Sequence, residues 1–420
     1  MVVNDARTRF TWKEGILIMN ILNKTKYIRN NPLYGMKYDD DAVNKDFKRM
    51  MKECNAPAGL YDPTVIPIKD ARYYVLMSER SSSKTTQITL KGLCYNKRYG
   101  TTIAYIRTLT SQITQSQYKK LFEVINNPVY GYIEWLTDKE YNRIIVERDK
   151  SCHYAHVSED GVIDKVCPKW CIQLMSVEEV ERYTSTFNTV DTDYIIYDEF
   201  SRTPVTTDHF IAFMNIHATL RRERENMMTF MLSNTITPYH VYLKELAIAH
   251  ILTKLKRGQH AIVTAPLGAR VYVELLSVGM HDEETTNFKQ VALDFYGFAN
   301  EGLKAIYGGE WEIKGFRHIP NTNEATFKNT NIIFDYMGNY MILCFYNDGK
   351  QFGAFIKPFT KKLKPNSIII SDEPHYNTEN TTIKHYDIFR KLKSLDKQGL
   401  LYYADNETGM MFVSLMETIK

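Results

Sequence analysis

The chain has 420 residues, more than one compact domain of ordinary size holds, so two domains are expected. Its 44% hydrophobic and 24% charged residues are those of a soluble globular protein with ample core, and no run approaches the ~20 apolar residues that span a bilayer. A net charge of +4 neither demands nor excludes nucleic acid, because local patches decide that.

The first 60 residues read as an N-terminal extension in which Asp39-Asp40-Asp41 suggests a turn. With Asp5, Arg7 and Arg9 and no long apolar run, the N-terminus is not that of a signal peptide, and a cytosolic chain is expected. Tyr61-Asp62-Pro63 leads into the first core strand, and the Tyr61 ring is a weak candidate for an adenine contact.

That strand, Arg72 to Met77, runs into Ser78-Glu79-Arg80-Ser81-Ser82-Ser83-Lys84-Thr85 and then a helical stretch over residues 85–97. An apolar strand, a small-residue loop and Lys84-Thr85 opening a helix make a phosphate cradle. Lys84 would reach the β- and γ-phosphates, the Thr85 hydroxyl would ligate Mg2+, and N–H groups at the helix start would face the anion. The usual loop, G-x-x-x-x-G-K-[ST], has glycines where Ser78 and Ser83 stand here. A serine-rich turn with Ser83 as N-cap is the competing reading.

Thr102 to Arg107 reads as the second strand, with Arg107 at its carboxyl end facing either the nucleotide crevice or a surface ion-pair partner. Residues 126–190 hold short strands, among them Tyr130 to Trp135 and Arg143 to Val146, and Trp170 to Met175 is another. Cys152, His153, His156, Cys167 and Cys171 fit no standard zinc spacing, so these and the other cysteines, Cys54, Cys94 and Cys344, are taken as reduced thiols.

Tyr194-Ile195-Ile196-Tyr197 is apolar without alternation, as in a buried parallel strand, and it ends in Asp198-Glu199-Phe200. Two acids there lie at the crevice where open α/β sheets bind ligands. Asp198 would hold Mg2+ and Glu199 would polarise the attacking water. The alternative is an exposed turn with two solvated acids.

Residues 208–221 form a helix that runs into Arg221-Arg222-Glu223-Arg224-Glu225, which is either a solvated helix end or an arginine finger for a neighbouring subunit. Thr229 to Asn234 is another buried strand, and Asn234 is either a γ-phosphate sensor or a turn residue before Pro238. An amphipathic helix over 240–257 follows, and then a looser link from Gly258 to Gly309.

The tail is β-rich. Ile332 to Tyr336 meets Tyr340 to Tyr346, Asn347-Asp348-Gly349-Lys350 signals a second hairpin, and Ile368 to Ser371 ends in Asp372. Three antiparallel strands followed by a further strand and helix resemble a ribonuclease-H-like core. Asp335 and Asp372 do not make the acidic set that a two-metal nuclease needs, so a structural tail is expected.

From Tyr61 onward the chain resembles the DNA-packaging ATPases of small tailed phages with protein-primed genomes, relatives of terminase large subunits. The matching residues are Tyr61-Asp62-Pro63, Ser78 to Thr85, Tyr105-Ile106-Arg107, Ile195 to Phe200, Arg222-Glu223-Arg224, Leu232-Ser233-Asn234 and Ile368 to Asp372. The departure is Ser83, where the family usually keeps glycine.

The resemblance implies an α/β fold, an ASCE-type P-loop ATPase domain plus a smaller α+β ribonuclease-H-like, vestigial nuclease domain. Domains are expected at 61–257 and 311–420, with 258–310 as a linker or small subdomain. It implies ATP and Mg2+ as cofactors, with Ser78, Arg80, Ser83, Lys84, Thr85 and Arg107 at the nucleotide and Thr85 and Asp198 at the metal. Glu199, Arg222 and Asn234 would be catalytic, Arg222 acting in trans with Arg221 and Arg224 as neighbours. It further implies a homomeric ring, a pentamer in the family, at the portal vertex of a procapsid in the host cytoplasm. Its partners would be double-stranded DNA, the portal and, as a further candidate, a structural packaging RNA, with no membrane. Lys357 to Lys364 is the densest basic segment, open to DNA, portal or RNA contact or to plain solvation. Two other classes stay open: a terminase-like enzyme whose tail cuts DNA, and a non-catalytic protein that keeps the fold.

Overall fold

The computed structural model describes residues 37–78, 83–114, 117, 121–179, 192–201, 207–221, 227–234, 240–252, 254–265, 268–276, 316–319, 326–347, 352–371, 381–383 and 386–418. Arg80, Arg222, Arg224 and Asp372 lie outside them.

A nine-stranded sheet carries the first part of the chain. Its strands are β1 (Tyr73–Ser78), β2 (Thr102–Arg107), β3 (Arg143–Val146), β4 (Ser151–Val157), β5 (Ile163–Ser176), β6 (Thr192–Asp198), β7 (Met228–Asn234), β8 (Gln259–Thr264) and β9 (Arg270–Leu275). They lie in the order β3-β4-β5-β2-β6-β7-β1-β9-β8. The six from β5 to β9 pair in parallel, and β3, β4 and β8 add antiparallel edges. The strand that feeds the serine loop is thus separated from the acid-bearing strand by β7, the order of an ASCE-type P-loop fold. Strands β8 and β9 come from the segment read as a link, and β9 pairs with β1.

Every residue of β1 and β6 is buried, as their unalternating apolar runs anticipate for a sheet covered on both faces. Side chains nonetheless alternate between two cores. Tyr74, Leu76, Tyr194, Ile196, Phe230 and Leu232 face one, covered by α1 (Asp40–Glu53) and α2 (Lys84–Tyr99). Val75, Met77, Ile195, Tyr197 and Met231 face the other, covered by α4 (Thr207–Arg221), α5 (Val241–Glu245) and α6 (Ala249–Leu252). Helix α2 lies close to the sheet at Gly92, where a Cβ would come within 2.8 Å of Ile103 and 2.9 Å of Tyr194.

Three local expectations are corrected. Asp39-Asp40-Asp41 is not a turn: Asp39 caps α1 by accepting from the Ala42 N–H, and the next two acids occupy its positive first turn. Helix α1 then packs Val43, Phe47 and Met50 into the core. Tyr130 to Trp135 is not a strand but contains the start of a short helix, α3 (Tyr132–Leu136), opened by Gly131 at φ 65°. Short apolar runs do not separate the two periods, and here residues 132, 133 and 136 are buried, as on one helix face. The expected helix over 240–257 breaks in two at Ala247, φ 57°. The Ile248 N–H returns to the Leu243 carbonyl, closing α5 in a left-handed cap that has no glycine to announce it.

The tail builds a second sheet from β10 (Thr326–Tyr336), β11 (Asn339–Asn347), β12 (Phe352–Pro358), β13 (Ile368–Ser371), β14 (Thr381–Ile383) and β15 (Leu401–Tyr403). The order is β14-β13-β10-β11-β12-β15. An antiparallel meander β10-β11-β12 has β13 and β14 added in parallel beside β10, the ribonuclease-H-like arrangement. Helices α7 (Tyr386–Lys397) and α8 (Asn406–Thr418) pack Phe389, Phe412 and Leu415 onto it. The two sheets touch where the Lys244 ammonium lies 5.7 Å from the Tyr336 ring centre.

Candidate nucleotide site

Period-two alternation builds the site. Ser78 follows Tyr74 and Leu76 on β1, Asn234 follows Phe230 and Leu232 on β7, Asp198 follows Tyr194 and Ile196 on β6, and Arg107 follows Ile103 and Tyr105 on β2. All four strands thus end with a polar side chain on the face that α2 covers. The first residues of α2 supply the rest.

Lys84, 7% exposed, donates from Nζ to Ser78 Oγ at 2.9 Å and Asn234 Oδ1 at 3.1 Å. These acceptors stand side by side because Ser78 and Asn234 are in register. Burial pushes the Lys84 ammonium down to about 8, against the opposing pull of Asp198 and Glu199. The Thr85 hydroxyl donates to Asp198 Oδ1 at 3.0 Å. Tyr105 donates its hydroxyl to the other oxygen of Asp198. Arg107 lies 2.7 Å from that same oxygen and donates its second nitrogen to Glu199. Asp198 is 3% exposed, and this charge-assisted set explains how a carboxylate sits there. Glu199 has φ 53°, so the chain turns as it leaves the strand and both acids meet one guanidinium.

Ser83 holds the first position before α2, but its side chain makes no helix cap. Its Oγ instead accepts from the Tyr61 N–H at 3.1 Å, and its φ is 56°. The serine thus stands in the left-handed conformation that a glycine would adopt without cost. The side chain of Ser83 therefore does not serve as the helix cap.

Of the expected residues, Ser78, Ser83, Lys84, Thr85, Arg107, Asp198, Glu199 and Asn234 come together, while Arg80 and Arg222 lie outside the described residues. The donor set suits the groups expected. Thr85 and Asp198 would offer hard oxygens to Mg2+. Lys84 and the amino end of the 16-residue α2 offer positive charge to phosphates. Among the described residues no cluster of His, Cys, Asp and Glu forms a metal cage, and all six cysteines are free.

No protein-family model and no curated protein matches the chain. Solved structures similar to it include the phi-28 gp11 DNA packaging motor, 15% identical over 84% of this chain and 95% of that one, with a TM-score of 0.46. The phi29 viral genome packaging motor assembly is 14% identical over 86% and 100%, with a TM-score of 0.47. The Thermus phage P74-26 large terminase ATPase domain is 14% identical over 62% and 97%, with a TM-score of 0.38.

Two supports escaped the sequence reading. The Tyr105 hydroxyl on Asp198 was signalled only by its place two residues before Arg107 on one strand face. Tyr61 is not open to an adenine: it is 3% exposed and donates its hydroxyl to Glu274 at 2.9 Å, as does Tyr272. Glu274 lies far off in sequence on β9, so no local motif links it to the loop.

Proposed function

We propose that this chain is an ATP-driven motor that moves double-stranded DNA into a viral procapsid, working as a homomeric ring at the portal vertex. The observation that supports it most is the meeting of Lys84, Thr85, Asp198, Glu199 and Asn234 at the carboxyl ends of adjacent parallel strands. The motif order that resembles packaging ATPases supplies the biological setting. In this reading the ATPase domain extends through β9, and the ribonuclease-H-like tail is a structural domain.

In the proposed reaction the Lys84 ammonium leaves Ser78 and Asn234 for the β- and γ-phosphate oxygens. Thr85 and Asp198 would hold Mg2+, which would supply neutralising charge to the phosphates. Glu199 orients the attacking water and takes its proton, which requires Arg107 to release it. Arg107 then has a guanidinium to offer the γ-phosphate. Asn234 is placed to hydrogen-bond the phosphate or the water once Lys84 has moved. Arg222 from a neighbouring subunit would neutralise transition-state charge. A non-catalytic protein that merely kept the fold would be under no constraint to retain this whole set.

DNA-stimulated ATP hydrolysis by the wild type, Glu199→Gln and Arg222→Ala tests the proposal. Activity is expected in the wild type, lost in each variant, and partly restored when the two variants are mixed. A wild type that does not hydrolyse ATP, with or without DNA and procapsids, overturns it.

A further inference from the structure

At the end of the large sheet away from Lys84, β1 and β9 begin side by side, the Arg72 N–H donating to the Arg270 carbonyl at 3.0 Å. Helix α4 reaches the same end with Arg221. A cleft of about 470 Å³ opens among Lys69, Arg72, Arg221 and Arg270, with Asp70 as the one acid among the described residues of its wall. Asp70 approaches Arg270 only to 3.9 Å, and Lys69 lies 3.7 Å from Asp41, with all four side chains at least half exposed. Such pairs cancel little charge. His217 behind Tyr73 adds none: burial, then the nearby Arg221 and Arg72, push it down to about 4.

The cleft has the chemistry of a phosphate site rather than a peptide groove. Three of its four cations are arginines, whose planar forks match phosphate oxygens. The rest of the wall is Ala71, Gly268 and Ala269, small residues that let a bulky anion approach the backbone, and the largely buried Tyr73. Base readout has no platform, since the buried Tyr73 ring stacks on His217 with centroids 5.1 Å apart.

We propose that this cleft binds the backbone phosphates of duplex DNA, without regard to sequence, at the end of the sheet opposite the nucleotide site. The proposal rests on the DNA-translocation reading and gives it a contact surface. Arginines at strand ends hold their positions by the sheet itself, so a cleft there would grip DNA on the same rigid body whose other end binds ATP.

The test uses the full chain and a fluorescently labelled duplex of mixed sequence, with affinity measured against salt. Each phosphate contact contributes about 0.9 to the slope of log affinity on log salt. Arg72→Ala/Arg270→Ala is therefore expected to lower the slope by about 2 and, at ~0.15 M salt, to weaken binding by about 30-fold. Arg72→Lys/Arg270→Lys, which keeps both charges, should retain most of the slope. DNA-free ATP hydrolysis should be unchanged in both variants. Wild-type slope and affinity in the double alanine variant overturn the cleft while leaving the motor reading intact if DNA still stimulates hydrolysis. Loss of inorganic tripolyphosphate binding with duplex binding intact assigns the cleft to a small polyphosphate and also overturns it. A wild type that neither binds duplex nor hydrolyses ATP removes both.

Discussion

Ser83 carries a side chain where the backbone is left-handed, a conformation that costs a residue with a β-carbon about 1 kcal/mol. It recovers part of this through the hydrogen bond its Oγ accepts from Tyr61. Ser83→Ala keeps the strain and loses the bond, whereas Ser83→Gly loses both. Chemical denaturation should therefore find the glycine variant more stable than the alanine variant by about 1 kcal/mol. Equal stabilities would mean the loop is not held in this conformation in solution. Lys84 is a second local cost. Its proton is bound less tightly in the folded state than in the unfolded chain, so the folded protein bears the full cost of burying the charge below pH 8. Between about pH 8 and 10.5 the unfolded chain holds the proton and the folded one releases it, so stability rises with pH through that window. Lys84→Met, which removes the charge and keeps the volume, is expected to be more stable than the wild type at pH 7, by up to on the order of 3 kcal/mol. The advantage should shrink as pH rises from 8 towards 10.5, and thermal melts across that range check it. A variant that loses stability at pH 7 would show that the bonds to Ser78 and Asn234 outweigh the burial.

Strand ends, more than the loop, hold the site together. Arg107 on β2 is clamped to both acids of the β6 turn, so a divalent cation bound at Asp198, as proposed, would compete with it. Arg107→Ala leaves the buried Asp198 carboxylate without its ion-pair partner and should destabilise by about 3 kcal/mol. Mg2+ should then raise the melting midpoint of the variant by more than it raises that of the wild type. An equal response in the two proteins would mean that the cation does not reach Asp198. These elements were legible because mostly apolar, unalternating runs ending in Ser78, Arg107, Asp198 or Asn234 have few other uses than a covered parallel sheet. The bonds among them were not. Lys84 meets Asn234 only because β7 lies beside β1, and a sequence does not print strand adjacency. The same limit hid Tyr61 and Glu274, which meet across β9. The break at Ala247 was hidden for a different reason: its left-handed cap uses alanine, so the apolar spacing of 240–257 reads as one helix.

At the scale of the molecule, two hydrophobic patterns announced two kinds of sheet, and both were found. What the sequence obscured was how far the first one reaches, since β8 is mostly exposed and its apolar residues are a single run of three, Ala261 to Val263, between polar ends. The tail tests whether a fold keeps its chemistry. In the ribonuclease-H-like sheet, β10 and β13 run in parallel, and Asp335 faces Ser371 across the register. A two-metal nuclease needs several carboxylates converging from such neighbouring strands, and a serine beside the aspartate supplies none. No metal-holding cluster of acids, histidines and cysteines occurs among the described residues of the tail. On the proposed reading of the tail as a structural domain, the purified chain should leave supercoiled and linear DNA intact in Mg2+ or Mn2+ at any time point that completes ATP hydrolysis, and Asp335→Asn should hydrolyse ATP at the wild-type rate. Metal-dependent nicking that disappears in Asp335→Asn would mean that the tail assembles its carboxylates from outside the described residues and is a working nuclease.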